Sequence, residues 1–145
     1  MNVLRRLGRL NRAELTLLTV ALVLLARVRI ALWLRPWARM VTIAQPTRGM
    51  SPPRFNADRL AWAIRAASRA VPHATCLTQA LALHHLLRCE GHAGIVQIGV
   101  TNQGGRFAAH AWVEFDGVPL LSSVSEVSRY SRFFTWPPAQ PDSVQ

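Results

Sequence analysis

The sequence predicts an α+β domain in which helices come first and an antiparallel sheet follows. Three observations predict it. Up to residue 88 the apolar residues recur at helical spacing, with prolines between the runs. From residue 94 the chain switches to short strand-like runs. Glycine turn signals separate those runs, as antiparallel strands require. Half of the 145 residues are hydrophobic, which suits one compact core and leaves too little chain for two.

The elements follow in order. Residues 12–34 read as one long helix ending at Arg35-Pro36, because proline disfavours helix in the residue before it. The segment 44–56, with Pro46, Gly49, Pro52 and Pro53, has the composition of a linker. Asn56 is a plausible cap for a helix with apolar residues at Leu60, Ile64 and Ala67, closed by Pro72. Thr75 can cap the next helix, whose stripe runs through Leu77, Ala80, Leu81 and Leu87 to a glycine stop at "CEGHAG". The runs 94–100 and 106–115 are strands joined by "TNQGG", and Asp116-Gly117 turns the chain into a returning strand over "VPLLSS". "SRYSRFFTW" adds an aromatic strand. These boundaries give an N-terminal basic and apolar helical segment over 1–45, a main domain over 54–136 and a frayed tail over 137–145.

The chain carries 17 basic and 7 acidic residues, a net charge of +10. Every basic residue is arginine. Residues 1–39 hold Arg5, Arg6, Arg9, Arg12, Arg27, Arg29, Arg35 and Arg39 against Glu14 alone, a balance of +7. Such a surface suits an acidic peptide or an anionic membrane face. No nucleic-acid-binding module is recognisable, so nucleic acid is not expected as a partner. "LTLLTVALVLLA" (15–26) imitates a signal peptide, but its 12 residues fall short of the roughly 20 that a span needs. Arg27 and Arg29 stand where small residues would mark a cleavage site. The expectation is a buried or peripherally docked helix, with weak membrane contact.

Cys76 and Cys89 are the two cysteines. On one helix they lie roughly 20 Å apart along the axis, far beyond the roughly 7 Å between Cα atoms that a disulfide tolerates. Two free thiols suit a reducing compartment, and the expected location is the cytoplasm. The spacings His73-x-x-Cys76 and Cys89-x-x-His92 imitate zinc-knuckle pairs, but the same helix holds them too far apart for one ion. No metal and no cofactor is expected.

Cys76 is the candidate nucleophile. As the first residue after a Thr75 cap it meets unpaired N–H groups and the positive end of the helix dipole, which favour the thiolate. The same N–H groups can receive an oxyanion. The candidate base is His110, which lies inside an apolar strand where alternation puts His110, Trp112 and Glu114 on one face. His84 and His85, in mid-helix, read as surface or interface residues.

These segments carry a resemblance. "VPHATCLTQALALHHLLRCEGHAGIVQIGV" followed by "GGRFAAHAWVEFDGVPL" resembles the B2-type lasso peptide maturation proteases, the transglutaminase-like domain that also ends the microcin-processing proteins. The resemblance is ordered over residues 60–120, and the leading helix is similar too. It implies a transglutaminase-like, papain-like cysteine peptidase fold, with the catalytic domain over 54–136. It implies Cys76 as nucleophile and His110 as general base. The implied activity removes the leader from a ribosomally made precursor before an ATP-dependent cyclase closes the macrolactam. The implied partners are the precursor peptide, a separate small leader-recognition protein and that cyclase.

The resemblance also implies an aspartate twelve residues after the histidine, where this chain has Ser122. Serine can accept a hydrogen bond from the imidazole but cannot balance an imidazolium by charge. A two-residue Asp116-Gly117 turn places residue 123 opposite His110, so Ser123 is a second candidate, and Glu126 a third. Two further readings fit the same residues. One is a cysteine peptidase or acyltransferase of another peptide-modification pathway. The other is a peptide-binding module with weakened catalysis, while a basic adaptor would be of a different class.

Overall fold

The computed structural model describes residues 11–34 and 52–137. It contains α1 (Arg12–Leu34), α2 (Ala57–Ser68), α3 (Cys76–Cys89), β1 (Gly94–Gln103), β2 (Arg106–Phe115), β3 (Val118–Leu120), α4 (Val124–Val127) and β4 (Ser131–Trp136). Most of the expected linker, most of the tail and the arginines at 5, 6, 9, 35 and 39 lie outside the described residues.

The four strands form one antiparallel sheet in the order β3-β2-β1-β4. Helices α1, α2 and α3 pack against one another, and α3 lies on β1 and β2. The reason is legible in the side chains. α2 and α3 turn Ala57, Ala61, Ala67, Ala80 and Ala82 inward, so the helices approach closely around Leu60, Ile64, Leu83 and Leu87. Val96, Ala111, Val113 and Trp136 close the core from the sheet side. A Cβ on Gly94 would meet Leu87 Cδ1 at 2.7 Å, so glycine is what lets β1 come down onto α3.

Local signals fix the ends of these elements. Asn56 caps α2 through a hydrogen bond from Arg59 N to its Oδ1 at 2.9 Å. α3 ends at Gly91, whose φ of 82° allows His92 N to bond Leu87 O at 2.8 Å and Gly91 N to bond Arg88 O at 3.1 Å. The β1–β2 turn is Gly104-Gly105 and the β2–β3 turn is Asp116-Gly117, all four at positive φ.

α1 lays one stripe, Leu17, Ala21 and Leu25, into the core, and the Glu14 carboxylate is paired with Arg59 of α2. By length and composition α1 is apolar enough to cross a membrane, yet it is docked side-on to α2 and α3. Two segments depart from the sequence reading. The returning strand stops at Leu120 instead of continuing through "VPLLSS", and the turn of helix α4 stands before the aromatic strand. The cause is Leu121, whose φ of 68° turns the chain out of the ladder.

Candidate active site

Cys76 is placed by the turn before it. His73 adopts φ 58° on the approach, and Thr75 then takes the extended conformation of a helix cap. Its Oγ1 accepts from Thr78 N at 3.3 Å, and Gln79 Nε2 reaches back to Ala74 O at 3.2 Å. Cys76 is therefore the first helical residue and is half-buried against the core. Among the described residues the N–H groups of Cys76 and Leu77 have no acceptor, and the Cys76 thiol has no hydrogen-bond partner. Two unengaged N–H donors beside a thiol are what an attacked carbonyl needs as its oxygen becomes negative.

His110 sits on β2 directly across from Gly99 of β1. Beyond Val113, β2 has no partner strand on its β3 side, so this stretch is an open edge. His110 Nε2 lies 2.8 Å from Ser122 Oγ. Glu126 Oε1 is 3.9 Å from the same nitrogen, beyond hydrogen-bond reach. Ser123, which an unbroken hairpin would set opposite His110, does something else. Its Oγ accepts from Glu126 N at 3.1 Å and caps α4. The left-handed Leu121 shifts the pairing by taking Ser122 out of register and into contact with the imidazole.

The ring is held on its faces as well. Trp112 stacks on it with centroids 5.9 Å apart and planes at 19°, and Tyr130 lies 5.3 Å away. Gly99 makes room for both: a Cβ there would stand 2.7 Å from Tyr130 Cβ and 3.0 Å from the Trp112 ring. Trp112 is anchored in turn, its Nε1 donating to Glu114 Oε1 at 3.0 Å. Arg132 donates to the same oxygen at 2.7 Å and Gln97 to Oε2 at 3.3 Å, while Thr135 Oγ1 donates to Gln97 Oε1 at 2.6 Å. Burial of Glu114 opposes its charge, but bonds from Trp112 and Arg132, the Arg132 charge and Gln97 together hold the carboxyl below its ordinary value. Alternation along β2 had put Trp112 and Glu114 on the face of His110. Tyr130, Arg132 and Gly99 carried no such signal, because they come from segments whose pairing with β2 the sequence does not state.

Ala111 and Val113 point into the core toward α3, whereas His110, Trp112 and Glu114 point the other way. Thus the structure joins His110 to Ser122 and its aromatic neighbours, and no hydrogen bond joins that group to Cys76 among the described residues. Among the described residues no other histidine is bonded to this group. His84, expected at a surface or interface, is fully buried, with its ring edge-on to Trp136 at 4.5 Å. The mid-helix turn it occupies faces the sheet, not solvent. Neither of its nitrogens has a hydrogen-bond partner, although the Gly94 backbone weakly favours the protonated ring. His85 is half-buried beside Arg27. His92 Nε2 is 2.8 Å from Phe55 O, and Cys89 is exposed. Among the described residues no three His, Cys, Asp or Glu side chains converge as a metal site would require.

The sequence profile of the transglutaminase-like superfamily matches residues 21–135, most of the chain. The chain belongs to this superfamily. Cysteine peptidases and related acyltransferases are among its members, and the α+β arrangement of helices on one antiparallel sheet is that expected of it. No curated protein and no solved structure is matched by the chain.

Proposed function

We propose that the chain is a cysteine peptidase that removes the leader from a ribosomally made, lasso-type precursor. The observation that carries the reading is the 2.8 Å contact between His110 Nε2 and Ser122 Oγ. With Nε2–H donating to the hydroxyl, the lone pair lies on Nδ1, the nitrogen left for a thiol. Ser122 stands where the resembling proteases place their aspartate.

In this scheme Nδ1 of His110 takes the Cys76 proton and the thiolate attacks the scissile carbonyl. The carbonyl π electrons move to oxygen, and the oxyanion is received by the N–H groups of Cys76 and Leu77. The imidazolium returns its proton to the departing amine as the C–N bond breaks, leaving a thioester on Cys76. Water, deprotonated by Nδ1, attacks that thioester and releases the acid, and the proton returns to the thiolate. Ser122 and the stacked rings act throughout by holding the imidazole plane. The scheme needs Nδ1 of His110 within reach of the Cys76 thiol at the start of α3. The chain works on the precursor together with a small leader-recognition protein, ahead of an ATP-dependent cyclase, in the cytoplasm.

The test is to mix the purified chain, precursor and recognition protein, quench in acid and weigh the products. Cut precursor and a thioester on Cys76 are expected, and neither in Cys76→Ala. A second reading is a peptide-binding module with weakened catalysis. The thiol without a hydrogen bond and the serine in place of a carboxylate favour it. Precursor bound but uncut, with no adduct, would establish it. Cutting of a different precursor class would assign the chain to another peptide-modification pathway.

A further inference from the structure

The side of α1 that faces away from the core is mostly apolar from Val20 onward, beyond the exposed Arg12, Thr16 and Thr19 and with Arg27 at its border. Val20, Val23, Ile30, Trp33 and Leu34 are exposed there, Ile30 by 56% and Trp33 by 79%. From Val20 to Leu34 the strip runs about 21 Å along the helix. Isolated exposed apolar residues are common, but a continuous strip of this extent marks an interaction face. The opposite stripe, Leu17, Ala21 and Leu25, is locked into the core with α2 and α3. The helix therefore cannot cross a bilayer without dragging a polar domain in with it. It can lie on one.

Beside the strip runs a groove of about 630 Å³ between α1 and the C-terminal half of α3, within the range of sites that hold small ligands (about 300–1,000 Å³). Val20, Val23, Leu24 and Phe55 line it, together with the cations Arg27 and Arg54. Glu90, its one carboxylate, is occupied by the backbone N–H groups of Arg54 and Phe55. Glu14, the one carboxylate of α1, is paired with Arg59. What remains free along the face is positive: Arg12 and Arg27, both exposed, within a chain of net charge +10.

We propose that this face docks on the surface of an anionic phospholipid bilayer. α1 lies in the interfacial plane, Trp33 sits at headgroup level, the groove accepts one acyl chain, and Arg27 reaches lipid phosphate. An apolar helix face whose carboxylates are engaged and whose remaining charges are cations matches that surface in both chemistry and charge. A convex strip also needs no shaped partner, since lipid conforms to it. This inference does not depend on the peptidase reading.

The experiment is co-sedimentation of the full chain with vesicles of phosphatidylcholine alone or mixed with phosphatidylglycerol. Binding to the mixed vesicles is expected and should weaken as salt is raised. Arg27→Gln should weaken it about fivefold, the scale of one arginine near an anionic surface. Ile30→Glu, at a site exposed enough to leave folding intact, should weaken it more than tenfold, which circular dichroism of the variant accompanies. Cys76→Ala should bind as the parent does, so that loss of cleavage and loss of docking are read separately. No vesicle binding, equal binding to both vesicle types, or a dimer that Ile30→Glu dissolves would each overturn the proposal.

Discussion

Ser122 Oγ lies 2.8 Å from His110 Nε2, although an unbroken β2–β3 register reserves the place opposite His110 for Ser123. The difference is made by one residue. Leu121 at φ 68° ends the ladder after Leu120 and sends Ser122 back across the edge of β2. A left-handed leucine costs free energy, on the order of 1 kcal/mol or more, which the surrounding packing must offset. The backbone is strained at the residue next to the one that touches the imidazole.

Ser122→Ala should therefore lower turnover about tenfold, the equivalent of ~1.4 kcal/mol from one hydrogen bond. Ser122→Asp should match or exceed the parent, because it adds a negative partner for the imidazolium. Ser123→Ala should leave turnover intact and cost about 1 kcal/mol of stability through the lost cap of α4. Steady-state cleavage and urea unfolding of the three variants separate the roles. A silent Ser122→Ala would show that Cys76 and His110 need no third member.

The two cysteines should behave differently. Cys76→Ala should abolish cleavage, whereas Cys89→Ala should leave it nearly unchanged. Partial desolvation, and then the Glu90 charge, push the Cys89 thiol up, so it is a poor nucleophile near neutral pH. Cleavage assays and iodoacetamide labelling followed by peptide mass mapping measure both properties. Equal loss in the two variants would remove the thiol nucleophile from the scheme.

Gly99→Ala tests the aromatic support of His110. The added methyl meets Tyr130 Cβ at 2.7 Å, an atom next to backbone that cannot swing away, and the Trp112 ring at 3.0 Å. Relief must come from the rings stacked on the imidazole. A stability loss of about 1–3 kcal/mol is expected from overpacking. Turnover at a temperature where the variant is fully folded should fall at least as far as in Ser122→Ala. Unchanged turnover would mean that the stacked rings do not orient His110.

Much of the fold was legible because its signals are local. Asn56, Thr75, Gly91 and Asp116-Gly117 each act within a turn of their own position, and each stands where the sequence placed it. The same holds for Cys76 at a helix start and His110 within a strand. What the sequence did not disclose depends on distant partners. His84 is polar and mid-helix, yet its burial is decided by Trp136, 52 positions away in the chain. Ser122 and Ser123 are chemically identical neighbours, and only the conformation of Leu121 separates a contact with His110 from a helix cap.

His84 gives the last prediction, on pH. Burial first, then the charges of Arg88 and His85, lower its pKa from 6.5 to about 4, with only the Gly94 backbone acting in the opposite sense. Between those values the unfolded chain binds a proton at this site and the folded chain does not, so stability rises with pH. The contribution is complete above about pH 6.5 and is lost progressively as pH falls toward 4. The gap corresponds to about 3 kcal/mol at ~1.4 kcal/mol per pKa unit. His85, also lowered by burial and by Arg27, adds in the same direction. Glu114 belongs to a lower range, because a carboxyl held below its ordinary value loses its stabilising charge only as pH falls through that lowered value. Urea unfolding at pH 7.5, 5.5 and 4.5 should thus show a falling midpoint already at 5.5. His84→Leu, which fills the same core site without the two unpaired nitrogens, should flatten this limb and raise stability at pH 5.5. If the limb persists at full amplitude in His84→Leu, the acid sensitivity resides in another group and the buried imidazole is not its source.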